Sequence, residues 1–337
     1  MANILDYLDW RGDLQISERG FNEVDNLLLA ELCYLDFGGI VPPGFDAPVP
    51  LQEAMRRYDV LREHESMGVL VPDQIPELGR RMAASARFSG LLLCGYENKI
   101  DDETQTQFSA LTLLLPDGTA YVAFRGTDDT IVGWKEDFNL AFLPVVPAQQ
   151  MAVQYLQAAA AVFSERPLRV GGHSKGGNLA VYSAVFCSEA VQNQLMQVYN
   201  NDGPGFRTSL LPLPEHKRVA GRIVTIIPES SVVGILLEHE ERCEVVRSTQ
   251  IGLMQHDGFS WQVLGDHFVT LRQVTRQAHL SDQALRELIH AMPQAEREKF
   301  VSALFDVLTA SGAVTLTDLK ADSFKAAGAM VKAMKDL

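Results

Sequence analysis

Hydrophobic positions along the chain change period near residue 90. Residues 22–35, NEVDNLLLAELCYL, carry apolar side chains at helical spacing behind Asn22, which has N-cap chemistry. Residues 51–66 and 73–88 repeat that spacing on either side of Gly68 and Pro72, so the first ninety residues read as helix and loop. Beyond them come short apolar runs of strand length at 90–96, 108–115 and 120–124. Pro116-Asp117-Gly118 supplies turn chemistry between the last two, which predicts a hairpin. Residues 149–163 form an Ala-rich helical pattern closed by Pro167. A strand at 168–171, a helix at 178–188, and strands at 197–200, 223–227 and 244–247 follow. After residue 270 the pattern is helical to the end, with Ser281 and Pro293 as start signals.

Strands alternating with helices predict an α/β domain whose parallel sheet carries helices on both faces. No stretch reads as a linker. The expected organisation is a single domain over 1–337: a helical N-terminal addition (1–89), a core (90–269) and a helical C-terminal tail (270–337).

Composition narrows the function more than the fold. The 337 residues carry a net charge of −14 with a pI near 5.0, and no cluster of Lys and Arg offsets it. Such a surface has no general attraction for nucleic acid or anionic lipid, so neither is an expected partner. Cys33, Cys94, Cys187 and Cys243 form no paired motif and are expected as buried, reduced thiols. No Cys or His cluster has ligand spacing, so neither a metal nor a cofactor is expected. The start MANILDYLDWRGD lacks the basic and apolar regions of a signal peptide, and no run is long enough to span a bilayer. The expected location is the cytoplasm.

The chemistry is concentrated in GGHSKGGN, residues 171–178. Here G-x-S-x-G, Gly172 to Gly176, lies between a predicted strand and a predicted helix, the setting in which a sharp turn presents a nucleophilic serine, Ser174. Glycine two residues before and two after the serine suits a site where strand and helix cross too closely for side chains. Main-chain N–H groups at the helix start then face developing negative charge. The absence of G-x-x-x-x-G-K-[ST] argues against a phosphate loop. An oxyanion hole needs a second donor from a loop after an earlier strand. AYVAFRGTDDTIVGWKEDFN, residues 120–139, offers one at Thr127 to complement the N–H of Lys175. Arg125 in that stretch is expected in a structural ion pair with Asp137 or another carboxylate of the loop.

AFRGT, followed by Trp134, Asp137 and then GHSKGGNLA, resembles the class 3 lipases of the α/β-hydrolase fold. NILDYLDWRGDL, NDGPGF (201–206), P-x-SSVVG (228–234) and QHDGFSW (255–261) resemble more narrowly a bacterial family of uncharacterised, lipase-like hydrolases. The resemblance spans most of the chain to about residue 265. It implies an α/β-hydrolase fold, a mostly parallel sheet flanked by helices, and a serine hydrolase acting on a small-molecule or lipid ester.

In that fold the acid and then the histidine follow the serine. His256, in MQHDGFSW after the last predicted strand, is the expected base; it also falls on the QHDGFSW motif. Asp202, after the strand that follows the nucleophile helix, is the preferred acid. Glu229 is the alternative, near the position where class 3 lipases carry Asp in a D-P-V-P segment; Ser230 and Ser231 lie nearest that position here. His173 is expected to pack beneath the turn, His239 to be solvated, and Asp257 to point away from its neighbour. The apolar stretch 138–147 suits either an acyl group or a core connection. The expected activity is cleavage of a carboxylic ester, thioester or lipid ester through an acyl-enzyme on Ser174. The alternatives are amide or peptide hydrolysis on the same machinery and a silent binding or scaffolding role on a hydrolase fold.

Overall fold

The computed structural model describes residues 1–62, 67–68, 71–140, 143, 145–206, 212–234, 237, 239, 241–275, 305, 314–315 and 317–318. Its strands are β1 (Val49–Pro50), β2 (Leu92–Asp101), β3 (Thr106–Leu114), β4 (Ala120–Phe124), β5 (Leu168–His173), β6 (Leu195–Asn201), β7 (Ile223–Pro228), β8 (Arg242–Val246), β9 (Val263–Leu264), β10 (His267–Phe268) and β11 (Thr270–Leu271). The helices are α1 (Ile4–Arg11), α2 (Glu23–Leu32), α3 (Leu51–Leu61), α4 (Ile75–Ala84), α5 (Ile131–Leu140), α6 (Pro147–Val162), α7 (Lys175–Phe186), α8 (Glu189–Gln194) and α9 (Pro214–Val219). Among the described residues one sheet runs β1-β2-β3-β4-β5-β6-β7-β8-β11, and β9 and β10 form a separate hairpin. Pairings from β4 to β8 are parallel; those on either side are antiparallel. A mixed sheet with a parallel centre and helices on both faces is the α/β-hydrolase architecture.

Alternation along the strands decides which helix packs where. Leu111, Leu113, Tyr121, Ala123 and Ile226 join the cluster that holds α1, α2, α3 and α4. Phe108, Ala110, Val122, Phe124, Val170 and Val198 join the cluster that holds α6 and α7. The N-terminal helices therefore pack on one face of the sheet, together with Phe259, Trp261 and Phe268 from beyond β8.

That layer is pinned by a buried ion pair. Asn22 caps α2, and Asp25 closes the capping box by accepting the Asn22 N–H at 3.0 Å. The same carboxylate accepts from Arg87 Nε at 2.6 Å and Tyr7 Oη at 2.9 Å, and also from Arg87 Nη2. The remaining Arg87 donors take the carbonyls of Leu14, Arg19 and Gly20, so one guanidinium closes the α1–α2 connection. Both side chains are fully buried.

Four expectations from the pattern change here. Strand β2 runs on to Asp101 because Gly95, at φ +66, lies in an irregularity between Cys94 and Glu97 that lets the polar continuation stay paired. Helix α7 starts at Lys175, since Gly176 and Gly177 are helical despite their low propensity. Thr270–Leu271 is an edge strand on β8 where helix was expected; it covers an edge that would otherwise leave backbone groups unpaired. Cys243 is exposed, unlike Cys33, Cys94 and Cys187, although all four are free thiols. The helical expectations at Ser281 and Pro293, and most of the tail, lie outside the described residues. Val314 and Thr317 reach the start of α5, where the Ile131 N–H donates to Val314 O at 2.9 Å and the Thr317 N–H to Asp129 Oδ2 at 3.0 Å.

Removing one member of a buried pair strands the other charge, typically at a cost of about 3–5 kcal/mol. Asp25→Ala is expected to lower unfolding stability in urea by about that amount. A loss of less than about 1 kcal/mol would contradict the pinning role.

Candidate active site

Strand β5 ends at the C-terminal edge of the parallel strands, between β4 and β6. A Cβ on Gly172 would lie 2.4 Å from Phe124 O, and one on Gly176 would lie 2.0 Å from the same oxygen. No side chain fits at either position, because the end of β4 crosses the turn there. Ser174, between them, has φ +58 and ψ −133, a strained conformation for any residue with a Cβ. Its N–H donates to Asn201 O at 2.9 Å, which ties the turn to β6. The serine is partly exposed and stands at the N-cap of α7, next to the positive end of the helix dipole.

Asp202 follows β6 directly, at φ +50, and is fully buried. Its Oδ1 accepts the Ser231 hydroxyl at 2.5 Å and the Gly234 N–H at 3.1 Å. Its Oδ2 meets His256 Nδ1 at 2.6 Å. With Nδ1–H donating to the carboxylate, Nε2 of His256 carries the lone pair. Glu229 is not joined to this pair. Its main chain bonds to Val246 and Thr275, and the Nδ1 it would need is occupied by Asp202. The serine-rich segment around Glu229 does reach the site, through Ser231.

The loop carrying His256 is held from below. Trp261 is fully buried and donates Nε1–H to Gln255 O at 2.9 Å; Gln255 in turn accepts the Ser230 N–H at 2.7 Å. His173 packs under the turn as expected, its ring centroid 4.5 Å from that of His256. Its Nε2 donates to His256 O at 2.7 Å, and its Nδ1 accepts from Tyr34 Oη at 3.2 Å. Burial, reinforced by the neighbouring His256 ring and opposed by that carbonyl, holds its pKa well below the usual histidine value, so the ring is neutral. Glu31 lies beside it, 3.8 Å from Nδ1 and fully buried. Among the described residues neither of its oxygens has a hydrogen-bond partner. Burial first, and then the negative charge of Asp257, push its pKa well up. Asp257 turns to its own backbone and accepts the Phe259 N–H at 2.9 Å.

On the β4 side, Gly126 lies against the elbow: a Cβ there would be 3.0 Å from Ser174 Cβ. Thr127 is next in the chain, and its hydroxyl donates to Asp137 Oδ2. The Thr127 hydroxyl is thus committed to a carboxylate. Arg125 pairs with Asp128 at 2.8 Å, one of the loop carboxylates expected for it, rather than with Asp137. Lys175 has its N–H at the first residue of α7, and its side chain is buried. His239, expected in solvent, is only 12% exposed and meets Glu241 at 2.8 Å. Of the apolar stretch 138–147, Leu140 and Val146 are buried and Val145 packs on the core, which favours the connecting role for the described part.

Tyr34, Glu31 and Glu136 were not singled out from the sequence, and Ser231 was named only as lying near the position of the lipase Asp. Among the described residues no group of His, Cys, Asp or Glu could hold a metal ion, and no helix is long and apolar enough to cross a membrane.

A family model described as Mbeg1-like matches residues 82–306. Among curated proteins the sequence has no match. Solved structures similar to the chain include lipase II from Rhizopus niveus, at 12% identity and a TM-score of 0.42, covering 73% of this chain and 83% of that one. A mutant form of MDLA from Penicillium cyclopium is similar at 11% identity and a TM-score of 0.41, over 75% and 87% of the two chains. The Rhizomucor miehei lipase propeptide complex is similar at 17% identity and a TM-score of 0.35, over 52% and 70%.

The Glu31 carboxyl gives a signed pH effect. Its folded pKa lies above the ordinary value of 4.5, so its contribution is fully present below about pH 4.5 and is lost as the pH rises through the folded value. Glu31→Gln keeps the shape without the charge. Its melting temperature relative to wild type is expected to climb as the pH rises above about 4.5; a difference that stays constant with rising pH would show that Glu31 does not titrate as argued.

Proposed function

Because the chain belongs to the Mbeg1-like family, whose model takes in Thr127, Ser174, Asp202 and His256, we propose that it is a lipase- or esterase-like serine hydrolase. Its substrate is a carboxylic ester, thioester or lipid ester, cleaved through an acyl-enzyme on Ser174. The observation that carries this reading is the 2.6 Å contact between His256 Nδ1 and the buried Asp202 carboxylate, beside a serine held at φ +58.

In this reading His256 Nε2 takes the Ser174 hydroxyl proton as Oγ attacks the carbonyl carbon. The C=O π pair moves to oxygen, and the main-chain N–H groups of Thr127 and Lys175 receive the resulting oxyanion. When the tetrahedral centre collapses, the bond to the leaving alcohol or thiol breaks and His256 returns the proton to it. Water then repeats the sequence on the acyl-enzyme, releasing the acid and restoring Ser174. Asp202 holds the imidazole in the required tautomer and stabilises the imidazolium. Ser231 and Gly234 keep the carboxylate aimed at Nδ1.

Labelling with a fluorophosphonate, alongside turnover of a graded series of nitrophenyl esters, tests the assignment. Wild type is expected to label, and Ser174→Ala and His256→Ala to lose labelling. Asp202→Asn is expected to lower kcat by roughly 10²–10⁴-fold, while Glu229→Gln stays within about twofold of wild type. Absence of labelling in wild type, with and without detergent, would favour the binding or scaffolding role instead.

A further inference from the structure

The chemistry just outlined uses the main chain of Lys175 and leaves its ammonium without a task. That side chain is 1% exposed, a costly place for a cation. Its Nζ donates to Gln107 O at 2.9 Å, Gln107 Oε1 at 2.5 Å and Glu136 Oε2 at 3.0 Å. Three donors on three acceptors leave the ammonium no free proton and no lone pair, so it has no role as base or nucleophile. The partners are equally committed. Glu136 is fully buried; its Oε2 also accepts the Gln107 N–H at 3.1 Å, and its Oε1 accepts the Ala148 N–H at 3.1 Å. One carboxylate thus joins β3, the start of α6 and the elbow.

Stability alone does not account for this arrangement. Well-packed apolar residues often replace a buried ion pair at no loss, or even with a gain. What an apolar pair would not supply is a connection between the two proposed oxyanion donors. The residue after Glu136 on α5 is Asp137, whose Oδ1 lies 3.9 Å from Lys175 Nζ and whose Oδ2 accepts the Thr127 hydroxyl. The chain of contacts therefore begins and ends at the hole. Lys175 contributes one N–H, its side chain grips α5 through Glu136 and Asp137, and Asp137 grips Thr127, source of the other N–H.

We propose that the buried Lys175 ammonium is a positioning group for the oxyanion hole, holding Thr127 on α5 in register with the elbow. This rests on the serine-hydrolase reading, in which Thr127 and Lys175 supply the two donors. Lys175 also provides the counter-charge that keeps Asp137 able to accept. The groups facing Asp137 are Lys175 from α7, Glu136 on its own helix, His256 from the loop after β8, and the Thr127 hydroxyl from the loop after β4. Burial raises the Asp137 pKa to about 6, against the pull of Lys175, of the Thr127 bond and, more weakly, of His256, while Glu136 pushes it further up. Loss of the ammonium raises it again, and a protonated Asp137 is a neutral, weaker acceptor with an O–H of its own, so it holds the Thr127 hydroxyl less firmly.

The test uses the full chain and compares Lys175→Met, Glu136→Gln and the double variant on a soluble ester from pH 5 to pH 9, with thermal melts of each. Lys175→Met is expected to lower kcat roughly 10–100-fold with little change in KM. Its acid limb should move to higher pH by about one unit. The double variant leaves no stranded charge. It is expected to recover thermal stability without recovering the wild-type acid limb, which separates positioning from mere support. If Lys175→Met does not fold, the double variant and Glu136→Gln carry the same comparison. Wild-type kcat and an unmoved pH profile in a folded variant lacking the ammonium, alongside an inactive Ser174→Ala, overturn the positioning role alone. Turnover indifferent to Ser174→Ala overturns the hydrolase reading and the positioning role with it.

Discussion

The crossing of β4 over the turn after β5 is the constraint on which the site depends. Phe124 O sits where a side chain at either Gly172 or Gly176 would have to be. That contact fixes three things at once. It bends the chain so that Ser174 sits at φ +58 with its side chain off the strand end. It starts α7 at Lys175, with unpaired N–H groups beside the serine. It also brings the loop after β4, with Gly126 and Thr127, against the same spot. Relaxing the crossing by even one methyl group would separate the elements that the proposed chemistry needs together.

Around that crossing several buried ionic groups have a definable task. Asp25 and Arg87 fasten the N-terminal layer. Glu136 and Lys175 join β3, α5 and α7. Asp202 is aimed at His256 by Ser231 and Gly234. Glu31 differs, because it has no hydrogen-bond partner among the described residues and burial pushes its pKa well up. The carboxylate in contact with the imidazole of His256 is that of Asp202.

The two faces of the sheet divide the work. The α6 and α7 face is built of small and apolar side chains, which let the elbow helix lie close to the strands. The N-terminal face carries Tyr34 and Glu31, and through them α2 supports His173 and, by the 2.7 Å bond, the main chain of His256. Trp10 and Ala2 bond to Gly265 and Val263, so the N-terminal segment also braces the hairpin that follows the histidine loop. Helices that read as an addition to the core are therefore in contact with the scaffold of the site.

The local part of this protein was legible in the sequence. Periodicity located the hairpin of β3 and β4 and the helix–strand alternation, because side-chain spacing follows directly from backbone geometry. Gly172, Ser174 and Gly176 marked the elbow because the steric demand acts within five residues. His256 and Asp202 could be named from chain order and motif. Glu229 stayed open as an alternative to the preferred Asp202, since both follow strands and only folding puts one of them 2.6 Å from Nδ1. Residues that act across the fold were equally hidden. Ser231 is 29 positions from Asp202, Glu136 is 39 from Lys175, and Tyr34 is 139 from His173. The edge strand Thr270–Leu271 also escaped the pattern, because two residues are too few to show a period and their pairing depends on the open edge of β8. Sequence determined which short segments were capable of chemistry; tertiary packing decided which distant carboxylates, hydroxyls and cations would meet them.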